Sequence, residues 1–323
     1  MKLSILDQSP VISGLGARRA VEETLALARR ADELGYHRYW LAEHHAIAAL
    51  ADPCPEILLA RLGAETRRLR VGTGGVLLPY YSAFRTAETF RMLEALYPGR
   101  IDLGIGRAPG GDARTAQAVG GGRFPDAERF PQQVWELTAL LEGTHHPARL
   151  QPEVDTVPEV WLLGSSDYSG GLAAELGLPF SFAHFINPRG GDAVARAYRE
   201  MFKATETRPS AQVIVCTFAI VGETDDHAER LAASIDLRRL HMALNIDSPV
   251  PTLEEAANHR YSDEERRYVL GQRARAVIGG PQKVREELLQ MAERYTADEV
   301  MVLTITGDYD SRRRSYELLI GAF

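Results

Sequence analysis

Short apolar runs recur along this chain, each followed by a longer stretch in which apolar residues return every three or four positions, so extended and helical segments alternate from start to finish. Lys2 to Asp7 reads as a buried strand. Ala17 to Leu34 follows as a helix, with Val21, Leu25, Ala28, Ala31 and Leu34 on one stripe and Gly35 to end it. Further strands are expected at His37 to Ala42, Leu69 to Leu78, Arg100 to Gly106, Glu159 to Leu163, Pro179 to Ala183, Gln212 to Val221 and Glu299 to Ile305. Helices are expected from the turn at Pro53 and Pro55 to about Arg67, then over Ala83 to Tyr97, Ala127 to Leu141, Asp167 to Gly177 and Asp192 to Lys203. A charged helix follows the seventh strand, and Gly279, Gly280 and Pro281 start another, with Val284, Leu288, Met291 and Tyr295 in register. Parallel strands need crossover helices that cover the sheet, so this alternation predicts an α/β fold, a (β/α)8 TIM barrel with loop insertions at its C-terminal face. A doubly wound open sheet is the alternative.

The 323 residues suit one barrel, and no flexible linker divides them, so residues 1–323 read as a single domain. A polar stretch at about 241–275 reads as an insertion, either a lid over the barrel mouth or a solvated excursion. The formal net charge is −7 and basic residues are interspersed with acidic ones, which speaks against nucleic acid. Cys54 and Cys216 have neither disulfide nor zinc spacing. The opening residues lack a secretory h-region and no long apolar stretch spans a membrane, so a cytoplasmic location is expected.

Barrel active sites lie where strands end at the C-terminal face, which singles out four places. Glu43-His44-His45 follows the second strand and offers groups that exchange protons near neutral pH; the structural alternative is a hydrogen-bonded turn. Gly72-Thr73-Gly74-Gly75 interrupts the third strand, as a kink would, or as a flat ligand pressed on bare backbone would require. Arg107 ends the fourth strand, where its guanidinium suits an anion or a rim salt bridge. Gly164-Ser165-Ser166-Asp167-Tyr168-Ser169 joins the fifth strand to its helix, a place for a phosphate or simply for a serine N-cap. Gly104 and Gly106 lack the third glycine of a dinucleotide fingerprint. His145 and His146 follow a helix, and neither a zinc-hydrolase motif nor a serine-nucleophile elbow is present.

In order along the chain, SILDQSP, EHH, GTGG, GRIDLGIGR, GSSDYS and VIGGPQKV resemble the luciferase-like flavin monooxygenase family. The resemblance implies reduced FMN, delivered by a separate NAD(P)H:flavin reductase, and dioxygen. Together these would oxidise a small organic substrate through a flavin hydroperoxide. By the same comparison His44 is the active-site histidine, and Gly74 and Gly75 flank a non-prolyl cis peptide beside the flavin ring. Arg107, Ser166 and Ser169 would hold the phosphate, with Gly164, Ser165 and Tyr168 in the same loop, and no metal is implied. Gly106 and Ser165 stand where luciferase has a cysteine and a carboxylate, which argues against light emission. A deazaflavin-dependent hydride transferase and a non-catalytic flavin-binding protein are the rival readings. The family's habits imply a homodimer, here expected through residues 53–67 and 83–96.

Overall fold

The computed structural model describes residues 1–108, 111–144 and 149–323; His145 and His146 lie outside the described residues. Nine strands form one parallel sheet: β1 (Lys2–Asp7), β2 (Arg38–Leu41), β3 (Arg70–Leu77), β4 (Ile101–Gly106), β5 (Glu159–Gly164), β6 (Phe180–Ala183), β7 (Val213–Val221), β8 (Ala276–Gly279) and β9 (Glu299–Leu303). Each of β1 to β7 pairs with the next except that β9 inserts between β7 and β1, which closes an eight-stranded barrel. The expected TIM barrel is therefore present, and the open-sheet alternative is excluded.

Two-residue periodicity divides the barrel's apolar side chains. Ile5, Tyr39, Leu162 and Val302 point outward into a core shared with the surrounding helices. Their neighbours Leu6, Trp40, Trp161 and Met301 point inward and fill the barrel itself. β7 is buried at every position because helices cover the outer face as well. Helices begin where a short polar side chain can take up a free amide: Ser82 accepts from Arg85 N, and Asp308 from Ser311 N. Gly35, at φ 85°, supplies the left-handed turn that ends the first helix.

Three elements were not expected from the sequence. Ala276–Gly279 forms β8, which pairs with Phe218–Val221 at the end of β7 and stays outside the closed ring. Ala113–Val119 is helical within the glycine-rich stretch, with Asp112 as its N-cap. A last helix, Tyr309–Gly321, buries Tyr316 and Leu319 against the barrel. The 241–275 stretch holds two helices, and most of its residues are exposed or half-buried. Its helices Leu253–Asn258 and Asp263–Gln272 each start with a capping box, Thr252 with Glu255 and Ser262 with Glu265. Val250 bridges to Ile12, and Asp247 accepts from Ala48 N at 2.9 Å, so this stretch is tied to the loops that follow β1 and β2.

The opposite, N-terminal end of the barrel is plugged by charge. Arg38 is almost fully buried and donates to Asp102 at 2.9 Å, Glu159 at 2.7 Å and Glu299 at 3.1 Å, with its guanidinium over the Trp161 ring. Arg70 gives Asp102 a second cation. Removing one partner from such a cluster leaves uncompensated buried charge. Arg38→Met should therefore lower unfolding free energy by about 3–5 kcal/mol in urea denaturation, far more than a surface arginine would.

Candidate active site

The strands end around a cavity of about 280 Å³ at the C-terminal face. One wall is bare backbone. A Cβ built on Gly75 would come within 2.6 Å of the Gly104 carbonyl oxygen, which as backbone cannot give way, and one on Gly74 within 2.6 Å of Leu6 Cδ1, which would have to shift. The Gly74–Gly75 peptide is cis, and the pairing of β3 with β4 slips a residue there. Trp40, Leu6, Leu163, Phe185 and Met301 supply apolar walls on the other sides. Flat backbone opposite apolar side chains makes a slot for a planar ring.

At one end of this slot several polar side chains lack partners among the described residues. Ser166 occupies the N-cap position of the helix Asp167–Glu175 yet makes no capping bond, so the ordinary use of serine there does not apply. Gly164, Ser165, Ser166 and Ser169 all line the cavity. A Cβ on Gly164 would lie 2.2 Å from Ser169 Oγ, so the glycine is what lets that hydroxyl approach the strand end. Arg107 also lines the cavity and forms no ion pair with a described residue; its guanidinium stacks 4.2 Å from the Tyr168 ring centroid. The rim salt bridge considered for Arg107 is thus absent among the described residues, and Tyr168 reaches the site through Arg107. An unpaired guanidinium, free hydroxyls and a helix N-terminus fit a phosphate group.

The other end is built on the turn after β2. Of the two histidines, His44 faces the cavity, while His45 turns away and bonds Glu43 at 2.7 Å. Glu43 is buried and also accepts from Leu77 N at 2.8 Å and Tyr81 OH at 2.5 Å, which ties the end of β2 to the end of β3. His44 places Nδ1 3.3 Å from the Ala42 carbonyl oxygen, so a proton on Nδ1 leaves the Nε2 lone pair free. Burial lowers its pKa from the ordinary histidine value, and the neighbouring His45 and Arg238 lower it further, against the Ala42 bond. The imidazole is therefore neutral at pH 7 and can take up a proton.

Behind His44 lies a carboxyl group that sequence reading missed. Asp52 accepts from His44 N through its main-chain oxygen at 3.2 Å, and its side chain is buried with Oδ2 unpartnered. Burial, with Asp7 close by, pushes its pKa up to about 7. Nothing in the local sequence marks Asp52, because its environment comes from β1 and β2 together. The apolar lining was missed for the opposite reason: Leu6, Trp40 and Met301 look like any other strand residues until the barrel closes.

Comparison with known proteins shows the family. The profile of the luciferase-like monooxygenases matches residues 1–298. The chain belongs to that family. It is 37% identical to a luciferase-like monooxygenase of Escherichia coli, over 98% of this chain and 95% of the relative. It is 34% identical to the N-acetyl-S-alkylcysteine monooxygenase of Bacillus subtilis, over 100% and 98%. The crystal structure of apo-MsnO8 superposes with a TM-score of 0.94 at 38% identity, covering 100% of this chain and 98% of that one. More distant barrels share the fold alone: a Baeyer–Villiger monooxygenase component in complex with FMN, at TM-score 0.72 and 18% identity, and an F420-dependent secondary alcohol dehydrogenase, at 0.66 and 15%. Among the described residues of this luciferase-like monooxygenase no helix is long and apolar enough to cross a membrane.

The raised pKa of Asp52 has a consequence for stability. An unfolded aspartate titrates near 3.8, so the folded chain holds the Asp52 proton more tightly and loses that advantage as pH rises from about 4 to about 7. Asp52→Asn cannot titrate. Denaturation at pH 5 and pH 8 should show the wild type losing more stability across that interval than the variant, by on the order of a few kcal/mol.

Proposed function

We propose that this family member is an FMN-dependent monooxygenase that uses reduced FMN and dioxygen to oxygenate a small organic substrate. The observation that carries the reading is the pairing of the two cavity ends: unpartnered Arg107, Ser166 and Ser169 at one, neutral His44 at the other, and the Gly74–Gly75 backbone between them. The flavin's phosphate would lie against Arg107 and the serine hydroxyls, with Gly164 and Ser165 shaping that pocket and Tyr168 holding the guanidinium in place. Its ring would lie along Gly74 and Gly75. When bound, reduced FMN supplies the two electrons with which dioxygen delivers one oxygen atom to substrate and the other to water.

The chain's own residues bind, orient and shield. Leu6, Trp40, Leu163 and Met301 keep water from the reacting centre, and the ordered 241–275 stretch acts as its lid. His44 exchanges a proton at Nε2 with the reacting oxygen or the substrate. Glu43 fixes the backbone on which His44 stands. A nicotinamide site is not needed in this chain if a separate NAD(P)H:flavin reductase delivers the reduced cofactor. The relative named for N-acetyl-S-alkylcysteine oxidation makes thioethers of that type the first substrates to try.

We also propose that residues 1–323 work as one domain in the cytoplasm and pair as a homodimer. Ile57, Met92 and Leu96 expose apolar side chains on helices Pro55–Glu65 and Ala83–Leu96, the face expected for that contact.

Anaerobic titration with reduced FMN tests the cofactor. Loss of the charge-assisted bonds in Arg107→Gln should weaken reduced-FMN binding about 10- to 100-fold, and Ser166→Ala should weaken it less. On admission of labelled dioxygen, the wild type should place labelled oxygen in a thioether product. His44→Ala should bind FMN normally but yield less product for each dioxygen consumed. If reduced FMN does not bind and reduced deazaflavin does, hydride transfer replaces oxygenation; binding without turnover of any substrate would make the protein a flavin carrier.

A further inference from the structure

The barrel closes with β3 and β7 on opposite sides, four strands apart in either direction around the ring. The glycine wall on β3 is therefore faced across the cavity by β7 and its ring neighbours β6 and β9. These three strands turn Cys216, Ser181 and Met301 inward, and all three residues line the cavity. Phe180 and Phe182, on either side of Ser181, point outward into the core shared with the helices. Register keeps the group together: Cys216 pairs with Met301 on one side and, on the other, with Ala183, two residues beyond Ser181. A planar ring lying along Gly74 and Gly75 presents its free face to this wall, so a substrate that reacts with the ring is held between the two.

None of the three side chains is charged. Met301 is a thioether, and burial pushes the pKa of the Cys216 thiol up, which keeps it protonated. Ser181 is 4% exposed, and its hydroxyl has no hydrogen-bond partner among the described residues. Other buried hydroxyls of the barrel are matched: Ser4 donates to Glu299, Thr73 to the Gly104 carbonyl and Thr304 to the Ala219 carbonyl. A buried hydroxyl left open to a cavity suits a ligand. Charge is accounted for elsewhere. Among the described residues lining the cavity only Arg107 and Glu43 are charged once His44 is neutral. Glu43 is occupied by His45, Leu77 N and Tyr81 OH, and Arg107 by the phosphate in the reading above.

We propose that Ser181 determines substrate specificity by donating a hydrogen bond to a carbonyl of an uncharged substrate, so that the enzyme selects neutral thioethers over their acids. The apolar body of the substrate packs on Met301 and Cys216, whose polarisable sulfur atoms adapt to varied shapes. A carboxylate against the same wall loses its hydration and finds no countercharge. The inference rests on the oxygenase reading for the ring that covers the substrate's other face, but not for the bond to Ser181.

The test is calorimetric titration at pH 8 of the FMN-loaded protein with three thioethers of one shape: (benzylthio)acetamide, (benzylthio)acetate and benzyl isobutyl sulfide. Wild type should bind the amide at least about threefold more tightly than the sulfide, as one hydrogen bond provides, and at least about tenfold more tightly than the acetate. Ser181→Ala should bind amide and sulfide alike and still reject the acetate. It should also take up FMN as the wild type does, which separates a bond to substrate from a bond to the ring, and melt at or above the wild-type temperature, because the lost hydroxyl had no partner. Equal binding of amide and sulfide by wild type, a preference that survives in Ser181→Ala, acetate bound as tightly as amide, weakened FMN uptake in Ser181→Ala, or binding of none of the three overturns the proposal. Without FMN, where Arg107 is free to take an acid, only amide and sulfide are compared, and Ser181 should still decide between them. A wild type that does not take up FMN but shows this Ser181-dependent preference would overturn the oxygenase reading alone, and one that takes up FMN without the preference would overturn this inference alone.

Discussion

Arg38 satisfies three carboxylates that converge from the starts of β4, β5 and β9, and most of the structure follows from that convergence. Charges of one sign brought this close inside a barrel repel unless a cation sits among them, and the cation is tolerated only because they surround it. The result is a solid floor. With Trp40 also donating to Asp102, charge and aromatic packing fill the lower barrel, and the cavity lies near the C-terminal face. The cavity at that end is what remains after the opposite end has been sealed.

The cavity combines two surfaces that ordinary strands do not provide together. The Gly74–Gly75 backbone offers flatness, because a Cβ at either position would collide with Leu6 or the Gly104 carbonyl. The ends offer unspent polarity: among the described residues Arg107 stacks on Tyr168 without an ion pair, and Ser166 sits at a helix start without capping it. Between the two histidines the division of labour is set by Glu43, which takes His45 as a partner and leaves His44 facing the cavity. Polar side chains without partners among the described residues, gathered around one cavity, suit a ligand.

The stretch 241–275 is held by short-range and long-range devices at once. Its two helices are started by capping boxes legible in the sequence as Thr252-x-x-Glu255 and Ser262-x-x-Glu265. Its attachment to the loops after β1 and β2 depends instead on the bridge from Val250 to Ile12 and the bond from Ala48 to Asp247, contacts between residues far apart in the chain.

Much of the architecture was therefore local information. Alternating apolar runs and helical stripes marked all eight barrel strands, since strand and helix periodicity is written residue by residue. The four-residue β8 and the helix Tyr309–Gly321 escaped because one is too short to show a period and the other carries six consecutive charged or polar positions, Asp310 to Ser315, in its first half. In the site, glycine, serine, arginine and histidine at strand ends were visible as types in sequence. Which of them would be free was not. Whether Ser166 caps its helix, whether Arg107 finds a carboxylate, which histidine Glu43 takes and how far burial raises Asp52 all depend on groups brought from other strands. The sequence alone determined the barrel and the neighbourhood of its chemistry, and only the tertiary structure decided which groups have partners, because pairing and desolvation are properties of the assembled interior.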